Sequence, residues 1–109
     1  MDLSKKDKKI ARQIIDIGLK REFEKGLLSF ETILKDWKEK NLDNQESYQL
    51  LYSKLKNFDK YIATNYDYMR GSTYFFIVAT QLKNGIITRD EISELSEEVI
   101  QKIEYLISL

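Results

Sequence analysis

The first third of the chain places apolar side chains at alternating steps of three and four residues. This spacing matches one face of an α-helix, and the chain contains no proline to interrupt it. We therefore expect one long helix over about residues 4–40. The members of this stripe are Ile15, Leu19, Phe23, Leu27, Phe30, Leu34 and Trp37, and a second stripe of Ile10, Ile14 and Ile17 runs beside it.

Two apolar stripes are more than contact with one neighbouring helix requires. They indicate a helix that lies between two neighbours, or one that also lines a dimer. Gly18 and Gly26 lie inside the pattern, and a glycine inside a helix costs about 1 kcal/mol relative to alanine. These glycines either impose a modest local penalty or mark places where another helix crosses closely.

The middle of the chain predicts a pair of further helices. Asp43 and Glu46 have the spacing of a capping box, so the second helix is expected to begin there and to fade at residues 63–65. The third helix is expected over about residues 67–83. Gly85 follows it, because glycine readily takes the left-handed conformation of a helix C-terminal cap.

The segment Tyr74–Ala79 is aromatic and β-branched enough to suit a buried strand, but its helical surroundings favour a helix. After it, Thr88 with Glu91 forms a second capping box, and Ser96 precedes acidic residues that favour the first turn of a helix. The sequence therefore predicts a single all-α domain over residues 1–109. It consists of a long N-terminal helix, a helical hairpin and short C-terminal helices.

Composition argues against catalysis and against a metal or cofactor site. The chain has no histidine and no cysteine, so the usual general base and the thiolate nucleophile are both missing. Its paired carboxylates lie on polar faces among lysines, which is typical of solvated helix surface. The residues before Gly85 lack the carboxylates of a calcium loop. We expect no enzymatic activity, no cofactor and no bound metal.

Net charge and hydropathy restrict the kinds of partner that we expect this chain to bind. The formal net charge is zero, which disfavours a nucleic-acid partner because phosphate binding needs a basic excess. No stretch approaches the roughly 20 apolar residues of a membrane span, and no apolar region of a signal peptide follows the basic N-terminus. We expect a cytoplasmic protein without a membrane partner. The lysine- and isoleucine-rich composition is typical of AT-rich bacterial genomes.

Tyrosine and arginine, the residue types most enriched at binding hot spots, gather near the expected join of the second and third helices. The group comprises Tyr52, Tyr61, Tyr66, Tyr68 and Arg70. Two interpretations of Arg70 stay open. Its guanidinium either pairs with Asp67 or Asp59 to close the turn, or is presented to a carboxylate or carbonyl of a partner protein.

Most of the chain resembles the fluorescence recovery protein family. The resemblance includes the Tyr-Asp and Arg-x-Ser elements within Tyr66–Ser72, the apolar run Tyr74–Ala79 and the Leu82 to Gly85 spacing. It continues through Ile87-Thr88 and the acidic segment Leu95-Ser96-Glu97-Glu98, and includes Arg21-Glu22-Phe23 in the first helix. The motifs are short, and together they cover most of the chain.

The resemblance implies an all-helical protein that forms an antiparallel homodimer through its long helix. The family's partner is the orange carotenoid protein, a photoreceptor that the family member returns to its resting state without catalysis or a cofactor. The functional arginine of the family maps onto Arg70. The expected dimer residues are Ile15, Leu19, Phe23, Leu27 and Phe30, and the expected partner-binding residues are Arg70, Asp67, Tyr66, Tyr68, Tyr48 and Tyr52.

The leading hypothesis is therefore a homodimeric regulator that binds another protein through the tip between its second and third helices. A different hypothesis is a small helical immunity or inhibitor protein that neutralises a toxin or nuclease. Its acidic surface, Asp90–Glu98, would then imitate a charged ligand of the target. An adjacent toxin gene would favour the second hypothesis, and a photoreceptor gene the first.

Overall fold

The computed structural model describes residues 2–109, and these residues are all-helical. About 76% of them lie in helices, and they include no strand. The α-helices are α1 (Lys5–Lys38), α2 (Asn44–Tyr66), α3 (Tyr74–Lys83) and α4 (Glu97–Ser108), with a short 3₁₀ turn at Asp90–Ile92 before α4. The predicted fold class, with its long N-terminal helix and shorter C-terminal ones, is thereby confirmed.

The described residues form two compact units. The first contains the chain up to Arg21 together with Tyr68–Leu109, and the second contains Glu22–Asp67. The helix α1 contributes its first half to one unit and its second half to the other.

The core of the first unit is aliphatic. Ile15, Val78, Ile92 and Ile103 come from α1, α3, the 3₁₀ turn and α4, and each is almost completely buried. The segment Tyr74–Ala79 is the start of α3, so its helical interpretation is confirmed. Burying one such side chain contributes about 1.5–3 kcal/mol, so this core supplies most of the driving force for the first unit.

Hydrogen bonds to Asp7 fix the beginning of α4. The Ser96 amide and hydroxyl donate to the two carboxylate oxygens of Asp7 over 2.9 and 2.8 Å. Burial raises the pKa of Asp7, but the hydrogen bonds from Ser96 outweigh burial, so the net pKa is lowered. The predicted start of the last helix at Ser96 is therefore confirmed, although Ser96 donates to Asp7 instead of capping its own helix.

The second unit is a hairpin of residues 22–38 of α1 and the whole of α2. The Glu46 amide donates to the Asp43 carboxylate over 2.7 Å, as the capping box predicts. Gly26 lies against the ring of Phe58, because a Cβ built on this glycine would be 2.5 Å from the Phe58 Cζ. Gly26 therefore makes room for a side chain of α2, and a close crossing of the two helices stays a prediction. Gly18 similarly admits the Gln81 amide, within the first unit.

The start of the third helix differs from the one expected. The helix α3 begins at Tyr74 instead of residue 67, and the preceding residues form turns. The hydroxyl of Thr73 accepts from the Arg70 amide, which ends the turn just before the helix. The C-terminal cap is as expected: Gly85 has a φ of 73°, and the Ile86 amide donates to the Gln81 carbonyl over 2.9 Å.

Replacing Gly26 by alanine should destabilise the protein. Glycine to alanine inside a helix normally gains about 1 kcal/mol, but here the new methyl group would overlap the Phe58 ring. We expect the free energy of unfolding, measured by urea denaturation, to fall by about 1–3 kcal/mol, as in overpacked cores.

The matched control is Gly26→Ala in a Phe58→Leu background. The smaller leucine vacates the space that the alanine methyl needs, so the penalty should shrink or change sign. An equal penalty in both backgrounds would show that contact with the Phe58 ring is not its cause.

Candidate functional site

Arg70 lies in a turn that the side chain of Thr73 organises. Besides accepting from the Arg70 amide, the Thr73 hydroxyl donates toward the Tyr68 carbonyl, with both distances at 3.0 Å. Tyr68 is 77% exposed. The Arg70 guanidinium is exposed and makes no ion pair within residues 2–109. The turn is therefore closed by backbone contacts and Thr73, and the charge of Arg70 stays in solvent.

Tyr66 is a structural residue and not a surface one. It is 6% exposed, and its hydroxyl donates to one carboxylate oxygen of Glu22, while Tyr61 donates to the other. Glu22 itself is buried, and a buried carboxylate is stable only when such donors replace water. The prediction that Tyr66 binds a partner is wrong for this reason.

Tyr48 and Tyr52 lie at the opposite end of α2 from Tyr66. Eighteen positions separate Tyr48 from Tyr66, so the helix rise of 1.5 Å per residue places them about 27 Å apart. Both are well exposed. A role for Tyr48 and Tyr52 in binding a partner protein stays a prediction. Asp67 is exposed and follows the end of α2.

The expected dimer stripe of α1 divides into buried and exposed members. Ile15 is 0% exposed and belongs to the core of the first unit, so it is not available to a second chain. Leu19 is half-buried, and Phe30 contacts the Phe58 ring at a centroid distance of 5.9 Å. Phe23 and Leu27 keep large exposed fractions, and a role for them at a dimer interface stays a prediction.

The hairpin presents a wider apolar face than the sequence analysis identified. On α1, exposed apolar side chains at steps of three and four continue past Phe30. On α2, a similar series begins in its second turn. The members of this face, hereafter the hairpin face, are Phe23, Leu27, Leu34 and Trp37 of α1 and Tyr48, Tyr52 and Leu55 of α2. The repeated spacing was the signal that could have extended the interface prediction beyond Phe30.

Helix geometry places the two halves of the hairpin face on the same side. Buried Gly26 and Ile33 mark the contact line of α1, and buried Ser47 marks that of α2. At 100° per residue, Leu27 and Leu34 of α1 and Tyr48 and Leu55 of α2 lie about 80–100° from the contact line of their helix, in the direction of the following residue. Seen from one end of the hairpin, the chain winds clockwise along one helix and counterclockwise along the other, because the two helices are antiparallel. An equal rotation from the contact line therefore brings both series to the same side of the hairpin.

A groove of about 280 Å³ opens on this side, between Leu34, Trp37, Asn44, Ser47, Tyr48 and Leu51. The Trp37 indole donates to the Asn44 amide oxygen over 2.7 Å, which fixes the indole at one end of the groove. Ser47 is buried, and its hydroxyl has no hydrogen-bond partner within residues 2–109. The groove has the size and apolar lining of a pocket for one large side chain.

The acidic segment of the second hypothesis, Asp90–Glu98, is only partly available to a partner. Glu91 forms a two-pronged pair with Arg21, with nitrogen–oxygen distances of 2.7 and 2.6 Å, and also accepts from the Thr88 amide. One half of the predicted capping box is therefore present, the Glu91 side chain on the Thr88 amide, whereas the Glu91 amide donates to the Thr88 carbonyl and not to its hydroxyl. Asp90 and Glu94 remain exposed. Intramolecular pairing therefore removes the central carboxylate from any imitation of a charged ligand.

Within residues 2–109, no group of three or more histidine, cysteine, aspartate or glutamate side chains is arranged to hold a metal ion. In the same residues, no helix combines the length and the apolar character that crossing a membrane requires.

Comparison with family models, with curated proteins and with solved structures gave no match. The resemblance to the fluorescence recovery protein family therefore stays a prediction from the quoted motifs.

The Arg21–Glu91 pair should make stability depend on pH in acid. The hydrogen bonds from Arg21 are the main cause that lowers the pKa of Glu91 from 4.5 to about 2, and the Thr88 amide adds to it. A carboxylate with a lower pKa in the folded state stabilises the fold above its unfolded pKa. We expect this contribution to be lost as pH falls from about 4.5 to about 2.

Urea denaturation across this pH range would measure the effect. Glu91→Gln should lower the urea midpoint at neutral pH and flatten the part of the acid dependence that Glu91 supplies. In an Arg21→Gln background the same substitution should change the pH dependence much less. A pH profile of Glu91→Gln identical to that of the wild type would contradict the assignment.

Proposed function

We propose that this chain is a non-catalytic regulatory protein of the bacterial cytoplasm that acts as a homodimer by binding another protein. The hairpin face is the observation that carries the proposal. Contiguous exposed apolar surface of this kind is rare on monomeric proteins and is typical of protein–protein contacts. The composition, which lacks histidine and cysteine, supports a binding role over a catalytic one.

A second copy of the chain is the occupant that the hairpin face fits best. Steps of three and four on both helices of a hairpin are the pattern of a four-helix bundle, in which two hairpins cover each other's apolar faces. The face also offers both halves of such a contact. Leu27 projects from it with 65% of its surface exposed, while the groove beside Trp37 is a recess. A two-fold dimer needs a self-complementary patch of this kind.

The Arg70 turn is the proposed contact for the regulated partner. Arg70 and Tyr68 are both exposed, and arginine and tyrosine are the residue types that anchor protein interfaces most often. Asp67 lies beside them in the sequence and is exposed as well. The resemblance to the fluorescence recovery protein family supports the same proposal, with a photoreceptor such as the orange carotenoid protein as the kind of partner.

Sedimentation of Leu27 variants tests the dimer. The wild type should have about twice the chain mass of 13.0 kDa at micromolar concentration. Leu27→Glu should give monomers, because the dimer would have to bury an unpaired carboxylate.

Leu28→Glu is the matched control. Leu28 is 55% exposed, but it lies about 100° around α1 from Leu27 and therefore outside the hairpin face. This variant should remain dimeric. A monomeric wild type, or equal loss of the dimer in both variants, would contradict the proposed interface.

Affinity capture from the source cell tests the partner contact. Arg70→Glu should lose the specific partner, since the change reverses the charge of the proposed anchor. Lys25→Glu, which makes the same change at an exposed position of the hairpin, should retain it. Identical sets of captured proteins from the wild type and Arg70→Glu would contradict a role for Arg70.

A further inference from the structure

The first unit brings the basic N-terminal turns of α1 next to the Arg70 turn. A Cβ built on Gly71 would lie 3.1 Å from the Cε and 3.4 Å from the Nζ of Lys8. The side chain of Lys8 therefore lies across the backbone of the residue that follows Arg70. The two cations are 62 positions apart in the sequence, and only the fold places them in one neighbourhood.

Lys8 belongs to a basic face of α1. Lys5, Lys8 and Arg12 follow one another at steps of three and four, so they lie one above the other on the helix, with Lys9 beside them. All four are exposed. Together with Arg70 they form what we call the basic patch.

The basic patch is poorly neutralised by the chain itself. Arg12 pairs with Asp16 over 3.3 Å, but Lys5, Lys8, Lys9 and Arg70 make no ion pair within residues 2–109. Asp7 lies among the lysines in sequence, yet both of its carboxylate oxygens accept from Ser96. The carboxylate nearest to these lysines on α1 is therefore already occupied by its hydrogen bonds from the start of α4.

Local stability does not explain these lysines. The N-terminus of a helix carries a partial positive charge, so cations in its first turns are unfavourable, and like charges three or four residues apart repel one another. Both effects oppose helix formation at the start of α1. Binding of an anionic partner would replace this repulsion with attraction.

We infer that the basic patch recognises an acidic segment of the partner protein, with Lys8 and Arg70 as neighbouring anchors. The inference rests on the proposed function and names the chemistry of its partner. Carboxylates suit the patch better than a nucleic acid does. The chain has no net positive charge, and Asp16 stands at one end of the patch, where a continuous phosphate backbone would be repelled. Tyr68, which is exposed in the same turn, supplies apolar contact area beside the charges.

Fluorescence anisotropy with a labelled peptide of alternating glutamate and alanine tests the inference. The wild-type protein should bind this peptide, and should not bind its glutamine–alanine counterpart. Affinity should fall as salt is added, because exposed charges are screened beyond about 8 Å at physiological ionic strength. The double variant Lys8→Glu/Arg70→Glu should weaken binding by about tenfold or more.

The matched control is Lys6→Glu/Lys60→Glu, which changes the net charge by the same amount. Lys6 lies on nearly the opposite side of α1 from Lys8, and Lys60 is an exposed residue of α2. This variant should bind like the wild type. Equal affinity of the two double variants, or no binding of the acidic peptide by the wild type, would overturn the inference.

Two further probes separate acidic protein from other anions. A single-stranded DNA oligonucleotide and vesicles containing an anionic phospholipid should each bind more weakly than the peptide, and independently of Lys8 and Arg70. Tighter binding of either probe that Lys8→Glu/Arg70→Glu abolishes would overturn the assignment to an acidic protein. Sedimentation keeps the tests distinct: a monomeric wild type contradicts the proposed dimer, whereas a normal dimer that fails to bind the peptide overturns this inference alone.

Discussion

The helix α1 carries more apolar surface than the second unit can cover. One of its faces, with Gly26 and Ile33, is taken by α2 within the hairpin. The face about 100° away, with Leu27 and Leu34, has no covering helix in the described chain. A two-helix hairpin has only one internal contact surface, so the exposed apolar face of residues 23–37 is left for a further neighbour to cover. The proposed dimer is the consequence of this constraint.

Polar contacts set where the helices begin and how closely they approach. Asp7 accepts from Ser96 and thereby joins the first turn of α1 to the start of α4. Glu22 accepts from Tyr61 and Tyr66 inside the hairpin. Both carboxylates are buried and are matched with donors, so they specify one arrangement of the helices where apolar packing alone would tolerate several. Partner binding is accordingly proposed for side chains that take no part in these two networks.

The proposed binding surfaces consist of side chains outside the buried hydrogen-bond networks of Asp7 and Glu22. Arg70 and Tyr68 lie in a turn in which Thr73 bonds to their backbone groups, so the turn does not depend on their side chains. Lys8 lies across this turn without an ion pair in the described residues. In contrast, Glu91 and Arg21 neutralise each other, which removes the most strongly held charges from the acidic segment. The charges without an ion pair are therefore the ones proposed to bind a partner, whereas the paired charges of Arg21 and Glu91 stabilise the fold.

The sequence by itself determined the helices and most of their ends. Spacing of three and four, the capping boxes at Asp43 and Thr88 and the glycine at position 85 act within a few residues, so local chemistry is enough to decide them. The tertiary structure alone decided which side chains are free. It buried Ile15 and Tyr66, placed Tyr48 about 27 Å from Tyr66 and brought Lys8 onto Gly71. Burial and proximity depend on contacts between residues far apart in the chain, and helical periodicity cannot tell a face covered by the chain itself from one that awaits a partner.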